Sequence, residues 1–551
     1  MTIEVPTAAE SADGTGNAAG NASLRTAPVA TAATVTTVPT SAASMATTSM
    51  QTESGGGGEG SESAEDYRGR ARRGLAALGA QSALKQLLVF GSNIYLAREL
   101  TPSDYGIFGL LNFAMSFFMM VGDAGLAASL VQRKEQPDHA ELSSLWWLQL
   151  GLALGLVGLA FAIAPVLPLF IDGFPPTAVW LMRGLSLGLV FTMLRTTPFL
   201  LLERQLHFGK ISGLEFLGSL GFYGVAIVLV AYGAGASALV TAAVVQLAII
   251  ALAANVLQPF RPAFVFHWAR IKSYVRFGVS FQAIHVAGFA NSAVTPLLVS
   301  ARLGTDGLGI VQFAQQTAWI PTVLISIVRR VSFPYFSRLQ GDRAAFAREF
   351  DNAIALSAVP VFFMTGLFLG NGEAIVLGIY SDKWAAAVPA IIVFSMILSV
   401  NFFGWIAGAA LEALGQPGTF LRLTILAAVI NWAATTTAVM FWPTPLAFAV
   451  GFSAHVVVNN FGLFFALRRL APAIRPLRRV LPMALAGAVV SGLGRITSQW
   501  TTGIFPLVLW VLASIGVFAG IVLVADGDLR RKLRARVERF AERRPTTLSD
   551  E

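Results

Sequence analysis

Between Gly74 and Ala525 the chain runs through one apolar segment after another, each about 20 residues or longer, with only short breaks between them. About 20 apolar residues in a helix cross the hydrocarbon core of a bilayer. In hydrocarbon no water is available to the backbone, so each segment must satisfy its own N–H and C=O groups, and a helix does so. The segments predict fourteen spans, at about 75–97, 105–131, 142–170, 177–202, 209–232, 236–257, 275–300, 308–328, 352–378, 386–413, 419–441, 446–467, 477–496 and 504–525. The breaks carry turn residues: Thr101-Pro-Ser-Asp104, Gly173-Phe-Pro-Pro176, Gly233-Ala-Gly235, Gly415-Gln-Pro-Gly418 and Trp442-Pro-Thr-Pro445. Composition agrees. The chain is 55% apolar and 13% charged, whereas soluble domains carry roughly 25% charged residues. The expected fold class is an all-α integral membrane protein.

Charge placement tests the count. Basic residues gather in cytoplasmic loops. With fourteen spans, one side holds Arg68 to Arg73, Arg133-Lys134, Arg204/Lys210, Arg261 to Arg276, Arg329 to Arg348, Arg422, Arg468 to Arg479 and Arg530 to Arg544. The other side holds only Arg98, Arg302, Lys383 and Arg495, so the split is 31 against 4. That bias predicts both termini in the cytoplasm. It also accounts for the net charge of +9 without a nucleic-acid partner.

Residues 1–66 are rich in Thr, Ala, Ser and Gly and have no periodic apolar face, which predicts disorder. They lack the charged start and apolar core of a signal peptide. At the other end, Leu529, Leu533, Val537 and Phe540 share one face of a basic helix from Asp528 to Arg544. It reads either as an anchor on anionic lipid or as a solvated tail. His267-Trp268 to Arg276 is a second interfacial candidate.

The turn after the first span, Leu96-Ala-Arg-Glu-Leu-Thr-Pro-Ser-Asp-Tyr-Gly-Ile107, returns after the seventh as Ser300-Ala-Arg-Leu-Gly-Thr-Asp-Gly-Leu-Gly-Ile310. Six spans separate the two, an even number, so the halves point the same way. The expectation is two parallel six-helix lobes, over 67–260 and 261–470. Two further helices lie within 471–526 and a basic tail over 527–551. Parallel repeats place a transport site at the lobe interface.

Several chemistries are excluded. The chain has no Cys, and its five His are scattered, so neither a thiolate nor a zinc site is expected. No phosphate-binding Gly-x-x-x-x-Gly-Lys-Ser/Thr loop is present, and no cofactor is implied. Gly184-Leu-Ser-Leu-Gly188 matches a nucleophile-elbow pattern but falls inside a span, where no strand-to-helix turn exists. The Gly-x-x-x-Gly pairs 151/155, 366/370, 404/408 and 516/520 predict close helix packing.

Ionisable residues inside spans are costly and mark function or buried pairs. Lys85, Asp123, Arg183, Arg195 and Glu215 all fall in the first lobe. Arg195 and Glu215 sit at similar depth on consecutive spans. Either Arg195 and Glu215 form an ion pair that only holds the lobe together, or these charges line a basic cavity for an anionic headgroup. The second lobe carries neutral groups instead: Gln282, His285, Asn291, Gln312, Gln315 and Gln316. They line a wet cavity or hydrogen-bond between helices. Glu373 reads as a rim residue.

Taken in order, Leu96 to Gly106, Gly122-Asp-Ala-Gly-Leu-Ala-Ala-Ser-Leu-Val-Gln-Arg-Lys134, Leu201-Leu-Glu-Arg-Gln-Leu-His-Phe208, Phe333-Pro-Tyr-Phe-Ser-Arg338, Gly378-Ile-Tyr-Ser-Asp-Lys-Trp384 and Ala413-Leu-Gly-Gln-Pro417 resemble the Wzx-type polysaccharide flippases. The likeness is to the branch with the colanic-acid and succinoglycan exporters, within the multidrug/oligosaccharidyl-lipid/polysaccharide superfamily, and covers roughly residues 70 to 470. The resemblance implies a MATE-like pair of lobes in a V with alternating access. It implies a polyprenyl-diphosphate-linked saccharide as cargo, moved from the inner to the outer leaflet of the bacterial inner membrane. It also implies polymerase and glycosyltransferase partners of the same pathway. Under it, Lys85, Asp123, Arg183, Arg195, Glu215, Gln282, His285, Gln312 and Gln316 become the headgroup and sugar cavity. Helices 13 and 14 lie outside the matched region; in the related lipid II flippases they form a lipid-tail groove.

Three other readings compete. A drug or cation antiporter of the same superfamily would favour an acidic cavity, and here the first-lobe set is three bases and two acids. A membrane polymerase or ligase would favour a large outward loop, and here those loops are short. A scaffold would need neither repeat nor buried charge.

Overall fold

The computed structural model describes residues 84–123, 137–169, 175–205, 207–500, 503–525, 527 and 530–531. The tail over 1–66, nearly all of the basic C-terminal segment and most of the Gly122–Lys134 motif lie outside the described residues. So do the side chains of Asp123, Gln282 and His285.

Among the described residues every regular element is a helix. In chain order they are α1 (84–99), α2 (Pro102–Asp123), α3 (His139–Ile163, extended by a 3-10 turn Ala164–Leu169), α4 (Pro176–Ser186) and α5 (Gly188–Arg204). Next come α6 (Phe208–Ala231), α7 (Ala236–Leu257), α8 (Trp268–Ser292), α9 (Val294–Ala318) and α10 (Thr322–Arg338). The chain closes with α11 (Arg343–Ile379), a 3-10 turn Asp382–Ala387, α12 (Val388–Ala413), α13 (Pro417–Phe441), α14 (Pro445–Leu470), α15 (Pro476–Thr497) and α16 (Ile504–Ala525).

Eleven helical segments among the described residues are long and apolar enough to cross a membrane, with α4 and α5 forming one of them. The three remaining sequence-predicted spans are 75–97, which corresponds to α1, 275–300, which corresponds to α8 and the first part of α9, and 308–328, which corresponds to the second part of α9 and α10. Much of the first lies outside the described residues. The helices of the other two carry Arg270, Lys272, Arg276 and several Gln and Asn, which lower their hydropathy.

The turn residues act where the sequence places them. Pro176, Pro417 and Pro445 open α4, α13 and α14, where a missing N–H costs nothing. Gly233 and Gly235 take positive φ between α6 and α7. Asp138 and Glu141 form a capping box at the start of α3, with Glu141 N donating to Asp138 Oδ1 over 2.6 Å. Asp342 caps α11 and starts it nine residues before the expected span, accepting from Ala344 N and Ala345 N. The expected seventh span is displaced as well. Its helix begins at Trp268, and its real end is Gly304, whose φ of 67° breaks the helical path inside α9.

The break at Gly304 gives the repeat its geometry. After it the chain turns back at Thr305, as it does at Pro102 after α1. The two turns lie side by side, with Ser103 Oγ and Thr305 Oγ1 2.8 Å apart.

The second lobe holds the densest packing. Trp384, Phe336, Phe346, Phe350, Phe368, Phe394 and Phe448 are fully buried there. In a membrane, lipid is as apolar as the core, so small residues that let backbones approach drive association. Gly366 and Gly370 of α11 do this against α15. A Cβ on Gly366 would stand 2.5 Å from the Gly487 carbonyl oxygen, and one on Gly370 would stand 2.9 Å from that of Ser491. α15 is thus fastened to the second lobe, and Asp351 of α11 reinforces the join by accepting from Arg475 N over 3.0 and 3.1 Å. α16 follows through an edge contact between Phe518 and Phe363. The pairs Gly151/Gly155 and Gly516/Gly520 instead face open space.

Candidate functional site

α1 and α6 run parallel in one register. Two contacts between them, Lys85 with Glu215 and Asn93 with Tyr223, have the same sequence offset. Eight residues of helix separate them, about 12 Å at 1.5 Å per residue. Lys85 Nζ lies 3.7 Å from Glu215 Oε2, and each side chain keeps about a fifth of its surface exposed (21% and 19%). Asn93 Nδ2 donates to the Tyr223 hydroxyl over 3.4 Å.

An Arg195–Glu215 pair is one of the two readings the sequence leaves open; in the structure the ion pair of Glu215 is with Lys85. Arg195 still attracts the Glu215 carboxylate electrostatically. Its guanidinium lies 5.3 Å from the Phe199 ring centre, a cation–π distance. Glu203, on the same helix one turn beyond Phe199, repels Glu215. Two cations and two carboxylates therefore share one region of the first lobe. The sequence offered Glu203 only as part of the Leu201–Phe208 motif, since its place at the end of an apolar run resembles an ordinary loop charge.

The other candidates are placed differently. Arg183 packs against rings, 4.8 Å from Trp180 and 5.5 Å from Phe161, and Nη2 donates to the Phe161 carbonyl at 3.5 Å. It stands between α3 and α4, apart from the Lys85 group. Gln312 of α9 rests on Gly109 of α2, where a Cβ would come within 1.8 Å of its Oε1, so it packs between the lobes. Gln316 is exposed, as is Glu373. Asn291 accepts from Asn431 Nδ2 over 3.0 Å, and Trp432 Nε1 donates to the Ala290 carbonyl over 2.8 Å. In these residues the neutral polar row bonds helix to helix. Sequence reading missed one pair altogether. Arg329 of α10 lies 3.8 Å from Glu412 of α12, whose side chain is buried.

The lobes are clasped together at the end where α1 stops. Arg98 Nε and Nη2 donate to the carbonyls of Ile379 (2.8 Å) and Gly378 (2.7 Å), the last turn of α11. A cation there satisfies orphan carbonyls and complements the helix dipole. In return Trp384 Nε1 donates to the Ala97 carbonyl over 2.8 Å, and Lys383 Nζ donates to that of Arg98. The buried Trp384 ring stacks on Phe313 at 3.9 Å and meets the edge of Tyr105 at 5.2 Å. Glu99 and Asp104 also attract Lys383. Two of the four basic residues on the sparsely charged side, Arg98 and Lys383, thus serve this clasp. So do two of the motifs, Leu96–Gly106 and Gly378–Trp384, which bind each other.

A two-lobe helical bundle with ionisable groups inside and a polar clasp at one end is a membrane-transporter architecture. The chain belongs to the polysaccharide biosynthesis protein family, whose model matches residues 95–389. It is 26% identical over 291 residues to the teichuronic acid biosynthesis protein TuaB of Bacillus subtilis, covering 51% of this chain and 58% of that one. It is 24% identical to the succinoglycan biosynthesis transport protein ExoT of Rhizobium meliloti, over 54% of this chain and 60% of that one. It is 22% identical to the lipopolysaccharide biosynthesis protein WzxC of Escherichia coli, over 60% and 68%. The matches to the first two span about three fifths of those relatives' length. Among solved structures the fold is similar to the lipid II flippase MurJ in an inward closed conformation, with TM-score 0.67, 14% identity and coverage of 83% of this chain and 99% of that one. It is also similar to an inward-facing MATE family multidrug resistance transporter, with TM-score 0.54, 17% identity and coverage of 70% and 95%.

Proposed function

We propose that this protein is a flippase that carries polyprenyl-diphosphate-linked oligosaccharides from the inner to the outer leaflet of the bacterial inner membrane, for the assembly of a cell-surface polysaccharide. Both termini face the cytoplasm, and the clasp end faces outward. The protein makes and breaks no covalent bond. It receives its cargo from glycosyltransferases and hands it to a polymerase.

The observation that carries this reading is the ionisable group Lys85, Arg195, Glu203 and Glu215, held inside the first lobe of a chain of this family. A diphosphate cannot cross hydrocarbon bare, and charge-assisted hydrogen bonds from Lys and Arg shield it. In this account Lys85 exchanges Glu215 for the incoming diphosphate, and Arg195 adds the second charge. Glu215 and Glu203 then keep the empty site from holding its anion too tightly. The sugars sit beside the polar groups of the second lobe, and the isoprenoid tail stays in lipid. The clasp closes the outer end while cargo enters from inside.

Deletion tests the reading. Without this protein, lipid-linked saccharide accumulates on the cytoplasmic face and surface polysaccharide is lost. If the polysaccharide persists in a strain with no second exporter, the assignment is wrong.

A further inference from the structure

The segment 258–267, between α7 and α8, joins one lobe to the other. It is not helical, yet it is pinned. Ala263 N and His267 N donate to Ser143 Oγ and Ser144 Oγ, each over 3.0 Å, and Trp147 Nε1 donates to the Ala263 carbonyl over 2.9 Å. The start of α8 is clipped to the same helix, α3. Arg270 Nη1 lies 2.8 Å from Asp138 Oδ2, and the Tyr274 hydroxyl donates to Glu141 Oε2 over 3.1 Å. Beneath them Ile271 and Tyr274 pack with Leu142, Leu145 and Leu200. The strap is therefore a fixed part of the first lobe.

Its other side is unusual for so well-held a segment. Phe264 is 93% exposed, Phe266 52% and Trp268 48%. Arg261 and Lys272 are exposed beside them, and neither has an acidic partner among the described residues; Asp138 is already taken by Arg270. The Phe264 ring meets one other ring among the described residues, that of Trp147, at 5.3 Å. Three rings this exposed would be poor in water, and cations with no acidic partner among the described residues would be poor in hydrocarbon. Only the headgroup layer of a membrane suits both. Rings there lie at the polar boundary, and basic side chains meet phosphates.

We propose that the strap and the first turns of α8 are a docking surface for acidic phospholipid headgroups of the cytoplasmic leaflet. Phe264, Phe266 and Trp268 enter the boundary, and Arg261 and Lys272 contact the phosphates. The surface holds the junction of the two lobes at a fixed depth while the lobes move. It rests on the orientation given above, but not on the cargo.

The chain has no Cys, so Phe264→Cys gives a single labelling site on an exposed position of the full-length protein. A fluorophore attached there, in nanodiscs, is read with spin-labelled phosphatidylglycerol and spin-labelled phosphatidylcholine as quenchers. The expected result is strong quenching by headgroup-level labels, several-fold preference for phosphatidylglycerol, and loss of most of that preference in Arg261→Gln/Lys272→Gln. Two basic side chains near an anionic surface are enough to account for a several-fold preference. A label open to aqueous iodide with no lipid quenching overturns the proposal, because the strap then stands off the bilayer or is covered by something else. A preference that survives Arg261→Gln/Lys272→Gln also overturns it. Labelling of the same cysteine in spheroplasts by a membrane-impermeant maleimide would contradict the orientation. Because no saccharide is present, none of these outcomes depends on the flippase reading.

Discussion

Gly106 and Gly309 meet as equals across the two lobes. A Cβ on Gly106 would stand 1.8 Å from the Thr305 carbonyl oxygen, and a Cβ on Gly309 would stand 1.8 Å from that of Pro102. Each would also reach the other glycine's amide nitrogen at 3.0 Å. The contact is reciprocal, with the same offset of sequence on both sides, which is what a two-fold axis between parallel repeats requires. The axis passes where the first turns of α2 and the second half of α9 cross.

The crossing leaves no room for any side chain. Gly106→Ala and Gly309→Ala each force the helices apart, and Gly106→Leu more so. Export should fall at least tenfold with either Ala variant. A variant that exports normally would show that the two turns need not touch during the cycle. Immunoblotting separates lost function from lost protein.

The same crossing can be locked. Ser103 and Thr305 have their side-chain oxygens 2.8 Å apart, and the chain offers no competing thiol. Ser103→Cys with Thr305→Cys is expected to oxidise to a disulfide within the fold. Export should stop under oxidation and return with reductant. Export that continues with the bond formed would mean the outer end does not part here.

Trp384 links the clasp to the core. It is fully buried and donates to Ala97. Trp384→Ala removes both packing and bond, and large-to-small changes of this kind cost about 3–5 kcal/mol. A clear drop in melting temperature follows. Trp384→Phe keeps most of the ring and loses a hydrogen bond worth about 1 kcal/mol, so it should stay folded while the clasp loosens. Cysteine accessibility at position 103 reads that loosening.

The Lys85–Glu215 pair separates structure from transport. Removing one partner strands a charge, while replacing both with apolar residues is often neutral for stability. Lys85→Met alone or Glu215→Met alone should lower protein level. The double variant should restore the level but not export. Recovery of both would make the pair purely structural. Arg195→Ala should reduce export at near-normal protein level.

Much of this was legible in the sequence, because the bilayer imposes period and length. Apolar runs, turn prolines and the glycines at 233 and 235 set most helix boundaries directly. The repeat was visible because both turns must solve the same steric problem at Gly106 and Gly309. Trp268 to Arg276 was legible as an interfacial segment but not as the first turns of the seventh span, and the helix start at Arg343 was hidden, since polar first turns outside the membrane leave no hydropathy signal. Side-chain partners were less legible. Depth placed Arg195 near Glu215, but depth says nothing of which helix face a residue takes, and the parallel packing of α1 on α6 brought Lys85 there first. Arg98 and Lys383 stood out as exceptions to the charge rule and as members of two motifs, but their partners are backbone carbonyls, which no sequence pattern marks.

Reconstitution tests the central claim most directly. Purified protein in liposomes, given a fluorescent polyprenyl-diphosphate oligosaccharide in one leaflet, should expose it to a reagent or enzyme confined to the other side. Transfer should be well above that in protein-free vesicles and should be lost in the oxidised Ser103→Cys/Thr305→Cys protein. If folded protein transfers no more than empty liposomes, under an imposed membrane potential or ion gradient as well as without one, the flippase account is contradicted.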